Sequence, residues 1–131
     1  MPTILIIDDE ELDRKVLHSI LLSAGYEVIG AARTGDEGIQ LCNTLHPDLI
    51  TIDLMMPKMN GMEVLISLMK ENKNTNALIC TSAHSDPVVD LAMRYGAKGY
   101  IIKPFQARSL LKTVKEIIGE PDPSRMNVWN F

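Results

Sequence analysis

At 131 residues, with 46% hydrophobic and 23% charged positions, the chain has the size and make-up of one globular domain, with room for a real core but not for two. Its 13 basic residues against 17 acidic ones leave a net charge of -4, which argues against a nucleic-acid footprint. No apolar stretch nears the roughly 20 residues that a bilayer span requires, and Met1-Pro2-Thr3 brings no basic region ahead of an apolar one, so a cytoplasmic protein is expected.

In chain order, the first element is a strand over Ile4 to Ile7, closed by Asp8-Asp9-Glu10. Leu12, Val16, Leu17, Ile20, Leu21 and Ala24 recur at helical spacing and stop before Gly25, a residue that tolerates the left-handed conformation at a helix end. A weaker strand, Glu27 to Ala32, leads to a second helix marked by Ile39, Leu41, Cys42 and Leu45. Leu49 to Ile52 forms a third strand ending at Asp53, and Met62, Leu65, Leu68 and Met69 mark the third helix.

A fourth strand, Ala77 to Cys80, delivers Thr81 and Ser82 to its end. Asp86-Pro87 supplies an N-cap and a first-turn proline for a short fourth helix carrying Val88, Val89, Leu91, Ala92 and Met93, with Gly96 beyond it. Tyr100 to Ile102 is the fifth strand and runs straight into Lys103; Leu110, Leu111, Val114, Ile117 and Ile118 mark the fifth helix, closed by Gly119. Prolines 121 and 123 forbid its continuation, so residues 1–119 are read as the domain and 120–131 as a tail, flexible or docking, whose Trp129 and Phe131 suit a docking peptide or a strand packed on a neighbour.

Four of the strands are apolar without alternation, as strands covered on both faces must be. Five alternating βα units with right-handed crossovers give an α/β fold with a doubly wound parallel sheet, whose ligands sit beyond the carboxyl ends of the strands. Asp8, Asp9, Asp53 and Lys103 all occupy such ends. Carboxylates brought together there repel one another, and a divalent cation cures the repulsion; oxygen-only ligands without histidine favour magnesium, with manganese as a substitute. A carboxylate can also attack phosphorus and form an acyl phosphate, provided metal and an ammonium neutralise the transferring group. Lys103 offers the ammonium, and Thr81 or Ser82 a hydroxyl for a phosphoryl oxygen.

Other candidates read as structural. Cys42 and Cys80 form no C-x-x-C pair and are expected to be reduced core residues; His18, His46 and His84 show no ligand spacing; the methionines from Met55 to Met62 are core filler or soft surface; Tyr26 and Tyr95 are packing residues.

From about residue 3 to 118 the chain resembles the receiver domain of two-component response regulators, in particular the single-domain, CheY-like kind. The matching residues are Asp8-Asp9, the segment Asp53-Leu54-Met55-Met56-Pro57-Lys58-Met59-Asn60-Gly61, Thr81-Ser82-Ala83, Gly96-Ala97-Lys98-Gly99-Tyr100 and Lys103-Pro104-Phe105. The resemblance implies a five-stranded flavodoxin-like sheet of order 2-1-3-4-5. It makes Asp53 the phospho-acceptor for a histidine kinase, with magnesium held by Asp8, Asp9, Asp53 and the Met55 backbone carbonyl. Lys103 pairs with the phosphoryl group, and Lys103-Pro104 is a cis peptide. Thr81 is the switch hydroxyl on spacing, 28 residues after Asp53 and 22 before Lys103, with Ser82 the open alternative. Tyr100 is the readout on a face formed by the fourth helix, fifth strand and fifth helix, where a target protein docks.

On this reading the chain is a signalling switch, monomeric or weakly dimeric, that catalyses only its own phosphorylation and dephosphorylation. Its output is binding to another protein in a phosphorelay, with chemotaxis as one setting, because no nucleic-acid-binding or enzymatic module is read after residue 118. A relay intermediate that passes its phosphoryl group to a histidine phosphotransfer protein is the main alternative. A pseudo-receiver that is never phosphorylated has little support, since no part of the pocket is missing. An aspartate-nucleophile phosphatase of the haloacid dehalogenase type needs Asp-x-Asp after the first strand, where this chain has Asp8-Asp9-Glu10.

Overall fold

The computed structural model describes residues 2–82 and 87–125. It contains β1 (Thr3–Ile7), α1 (Glu11–Ser23), β2 (Glu27–Ala32), α2 (Gly35–Leu45), β3 (Leu49–Asp53), α3 (Gly61–Glu71), β4 (Ala77–Thr81), α4 (Pro87–Arg94), β5 (Gly99–Ile102), α5 (Ala107–Ile118) and a 3-10 turn over Pro123–Arg125. The strands form one parallel sheet in the order β2-β1-β3-β4-β5, so the expected doubly wound topology is present. Strands β3, β4 and β5 each run one residue beyond the apolar run that marks them, taking in Asp53, Thr81 and Gly99. The N-cap expected at Asp86, His84 and the aromatic end of the tail lie outside the described residues.

The unbroken apolar runs follow from helices on both faces. Leu5, Ile7, Ile50, Ile52, Ala77 and Ile79 face α2, α3 and α4 in one cluster, while Ile4, Ile6, Leu49, Leu78 and Ile101 face α1 and α5 in the other. Side chains alternate along a strand, so with both faces covered every position must be apolar. β2, at the edge, is only half-buried over most of its length, which is why its pattern is the weakest.

The helices hold two departures from their apolar spacing. On α1 the buried stripe is Leu17 and Leu21, continued by Ala24, and Leu12 and Val16 lie off it, 72% and 37% exposed. On α2 the fully buried positions are Gly35 and Gly38: the helix lies so close over β1 that a Cβ at Gly38 would run into the Ile7 side chain. Chain ends and turns are pinned individually. Asn60 and Glu63 form a reciprocal capping box at the start of α3. Buried Tyr26 donates its hydroxyl to the Gly119 carbonyl at 2.8 Å, fastening the end of α5 beside the start of β2. Arg125 comes within 3.6 Å of Glu27. Among the described residues, no helix is long and apolar enough to cross a membrane.

Candidate functional site

The order of the sheet reverses between β1 and β3, and there the crevice opens. In register Ile7 pairs with Ile52, so Asp8 and Asp53 leave the sheet side by side, while Thr81 pairs with Ile102, just before Lys103. Asp8, Asp53 and Lys103 share the strand parity of Ile6, Leu49 and Ile101, the residues packed against α1 and α5. All three therefore point to the side of the sheet that α1 covers.

Both aspartates are nearly inaccessible, Asp8 2% and Asp53 3% exposed. Asp53 Oδ1 accepts the Met55 backbone N–H at 3.1 Å, and Oδ2 faces the Lys103 ammonium at 3.5 Å. Asp8 Oδ1 accepts the Glu10 backbone N–H at 2.9 Å, and its Oδ2 accepts from Lys103 at 2.9 Å. Asp8 thus stiffens the turn into α1; the N-cap position itself is Glu10, which makes no side-chain cap bond. Burial pushes the Asp53 carboxyl up to about 6, helped by the charge of Asp8 and opposed by the Met55 N–H and Lys103. For Lys103, burial works to lower the pKa, but the bonds to Asp13 and Asp8 and the charge of Asp53 outweigh it and hold the ammonium well above the ordinary lysine value.

Carboxylate oxygens of Asp8, Asp9 and Asp53 come within 4.8 Å of one another, the cluster among the described residues able to hold a metal ion. Asp9 Oδ1 is buried without a hydrogen-bond partner. A buried carboxylate oxygen left unmatched beside two others fits a cation-binding role, and an all-oxygen set suits a hard cation. Binding such an ion to the native state alone is expected to stabilise the protein by about 2.7 kcal/mol at a hundred times the dissociation constant. A thermal melt with and without magnesium checks this, with Asp9→Asn as the variant that loses most of the gain.

The raised pKa of Asp53 carries its own sign. The folded metal-free protein holds the proton up to about pH 6, whereas a free carboxyl gives it up near 3.8, so stability falls as pH climbs through that window. Asp53→Asn is expected to gain on the wild type by an amount that grows across the window to the order of 2 kcal/mol at neutral pH. Metal-free urea titrations of the two proteins at pH 4 and pH 7 measure it; a constant difference refutes the burial argument.

The other expected site residues are spread around this basin. Lys103-Pro104 is cis. Thr81 closes β4 at 1% exposure, and its carbonyl accepts the Lys103 N–H at 2.7 Å; Ser82, exposed, lines the basin with Asp53 and Lys103. The Met55 side chain, 69% exposed, overhangs the same hollow of about 370 Å³. Tyr100 points away from the basin, 49% exposed beside a groove of about 440 Å³ that runs between β5 and α5 to Thr113. Buried Cys80 has its thiol pushed up by desolvation, and half-buried Cys42 is pushed up to about 11 for the same reason, which fits inert core thiols.

One residue had no place in the sequence reading. Asp13, in the first turn of α1, accepts a hydrogen bond from Lys103 Nζ at 2.8 Å, the shortest contact the ammonium makes. The usable signal is indirect: a helix that begins two residues after Asp9 and covers the Asp8 face must carry its first turn over the basin.

A family model described as the response regulator receiver domain matches residues 4–115. The chemotaxis protein CheY of Thermotoga maritima is 35% identical over 114 residues, which span 87% of this chain and 95% of that protein. The nitrate/nitrite response regulator protein NarL of Escherichia coli is 36% identical over 115 residues, 87% of this chain but only 53% of NarL. Among solved structures, the complex of CheX, CheY, BeF3 and magnesium from Borrelia burgdorferi contains a chain that superposes with a TM-score of 0.85 at 29% identity, covering 88% of each chain.

Proposed function

The chain belongs to the response regulator receiver domain family, and from that premise we propose that it is a cytoplasmic switch phosphorylated on Asp53 by a histidine kinase. The observation that carries the proposal is the buried Asp53 carboxylate, held by the Met55 N–H on one oxygen and facing a lysine ammonium with the other, beside two further aspartates. Asp53 attacks the phosphorus of a phosphohistidine; the P–N bond breaks, its electron pair stays with the imidazole nitrogen, which takes up a proton, and a P–O bond forms to the carboxylate. Water later attacks the phosphorus, the P–O bond breaks, and Asp53 returns as a carboxylate with release of inorganic phosphate and a proton.

Asp8, Asp9, Asp53 and the Met55 carbonyl are the groups that would hold magnesium, which supplies charge neutralisation at the phosphoryl oxygens. Lys103 carries the second positive charge to the same place. The Thr81 hydroxyl, on its spacing, takes a phosphoryl oxygen, and its movement makes room for Tyr100 to turn inward from the surface. That changes the α4-β5-α5 face offered to a target protein. The Borrelia burgdorferi CheY, in complex with CheX, BeF3 and magnesium, supports a protein partner for this chain. A phosphorelay with chemotactic output fits the CheY relatives.

The decisive experiment incubates the protein with a small phosphoramidate donor and magnesium and reads the intact mass. Gain of one phosphoryl group by the wild type and none by Asp53→Asn is the expected result; an unmodified wild type refutes the proposal. In the same assay Tyr100 resonances should shift on phosphorylation and stay in place in Thr81→Ala. A shift that is lost in Ser82→Ala instead transfers the switch to Ser82.

A further inference from the structure

We infer that Asp13 is a positioning residue that holds the Lys103 ammonium back from Asp53 and so limits how readily the basin takes up a phosphoryl group; the inference rests on Asp53 being the acceptor. Lys103 Nζ lies 2.8 Å from Asp13 Oδ2 and 2.9 Å from Asp8 Oδ2, but 3.5 Å from Asp53 Oδ2. The two short contacts are hydrogen bonds, so the ammonium commits its best-aimed protons to α1 and to the turn after β1 and not to the acceptor.

Asp8 belongs to the metal-ligating cluster, and its bond to Lys103 competes with a cation there. Asp13 stands outside that cluster, on a different element, with its side chain 30% exposed. Nothing in the phosphoryl chemistry needs its carboxylate. A phosphoryl group on Asp53 adds about two negative charges and must draw Lys103 across the gap against Asp13. A charge-assisted hydrogen bond is about twice as strong as one between neutral groups, and here both donor and acceptor are charged, so the opposition is a real one. Asparagine at position 13 keeps the shape and an acceptor oxygen while removing the charge that restrains the ammonium.

The test compares wild type, Asp13→Asn, Asp13→Glu and Glu10→Gln. Glu10 lies at the same mouth, outside the set of Asp8, Asp13 and Asp53 that pairs with Lys103, so its variant removes an equal charge from the approach path of an anionic donor. With phosphoramidate and magnesium, Asp13→Asn is expected to take up phosphoryl groups about three- to tenfold faster than wild type. Asp13→Glu should return to within about twofold of wild type, and Glu10→Gln should stay within about twofold. In the metal-free proteins, nuclear magnetic resonance should show the Lys103 ammonium protons exchanging with water faster in Asp13→Asn than in wild type.

An unchanged or slower uptake in Asp13→Asn overturns the inference. So does an equal acceleration in Glu10→Gln, which assigns the effect to the general field at the mouth. A wild type that takes up no phosphoryl group sinks the acceptor reading instead, and the ammonium exchange still decides whether Asp13 restrains Lys103.

Discussion

Gly61→Ala is expected to cost the fold about 3 kcal/mol, the upper end for overpacking, and to impair the basin with it. A Cβ at this position would sit 2.6 Å from Leu54 Cα and 2.9 Å from the Asp53 carbonyl carbon, and closer still to the Asp53 carbonyl oxygen. These are backbone atoms, so no rotamer change relieves the clash. The restriction is one of space: Gly61 opens α3, its N–H reaches back to the Leu54 carbonyl at 3.2 Å, and the loop from Met55 to Asn60 closes on itself there. Forcing it open moves the main chain that carries the acceptor. Chemical denaturation of Gly61→Ala, followed by magnesium titration, checks both halves. A variant within about 1 kcal/mol of wild type would contradict the geometry.

Lys103→Met should be nearly as damaging, for an electrostatic reason. The ammonium faces Asp8, Asp13 and Asp53, two of them almost fully buried. Taking away the cation leaves buried carboxylates facing one another, a loss of about 3–5 kcal/mol at neutral pH. Lysine itself stays charged throughout the neutral range, because its folded pKa lies above the usual value, so the pH dependence of the variant comes from the carboxylates. Lowering the pH toward 4 lets Asp53, already raised to about 6, take a proton and cancels part of the loss. Magnesium should cancel another part by replacing one positive charge with two. Phosphoryl uptake is expected to fall about 100-fold or more even where the variant is folded. Melting curves at pH 5 and pH 7 with and without magnesium, beside the mass assay, separate the two effects; a loss independent of both pH and metal would point to packing.

The legible part of this protein is what alternation and strand ends reveal. Ile4 to Ile7 and Leu49 to Ile52 announce strands covered on both sides, and the charged residues that end them announce the crevice, so Asp8, Asp9, Asp53 and Lys103 could be named before their distances were known. Side-chain identity predicts less well where a helix surface is decided by its neighbours. Leu12 and Val16 fit an apolar stripe by spacing yet face outward, because the sheet takes the Leu17 and Leu21 side of α1. Gly35 and Gly38 give no hydrophobic signal at all, although Gly38 lets α2 lie close over Ile7 of β1 and Gly35 lets it close on Val64 and Met59. Asp13 was hidden for a related reason: its partner is 90 residues away, and only the covering of one sheet face by α1 brings the two together.

The bond between the Tyr26 hydroxyl and the Gly119 carbonyl settles where the chain departs from the body of the domain. It fixes the end of α5 at the amino-terminal pole of the strands, as far from the acidic basin as the sheet is long. Residues 120 to 125 therefore leave the domain at that pole, with Arg125 beside Glu27. A contact made there would sit at the opposite end of the strands from the carboxylates, so that holding and reacting would fall to different poles of one sheet.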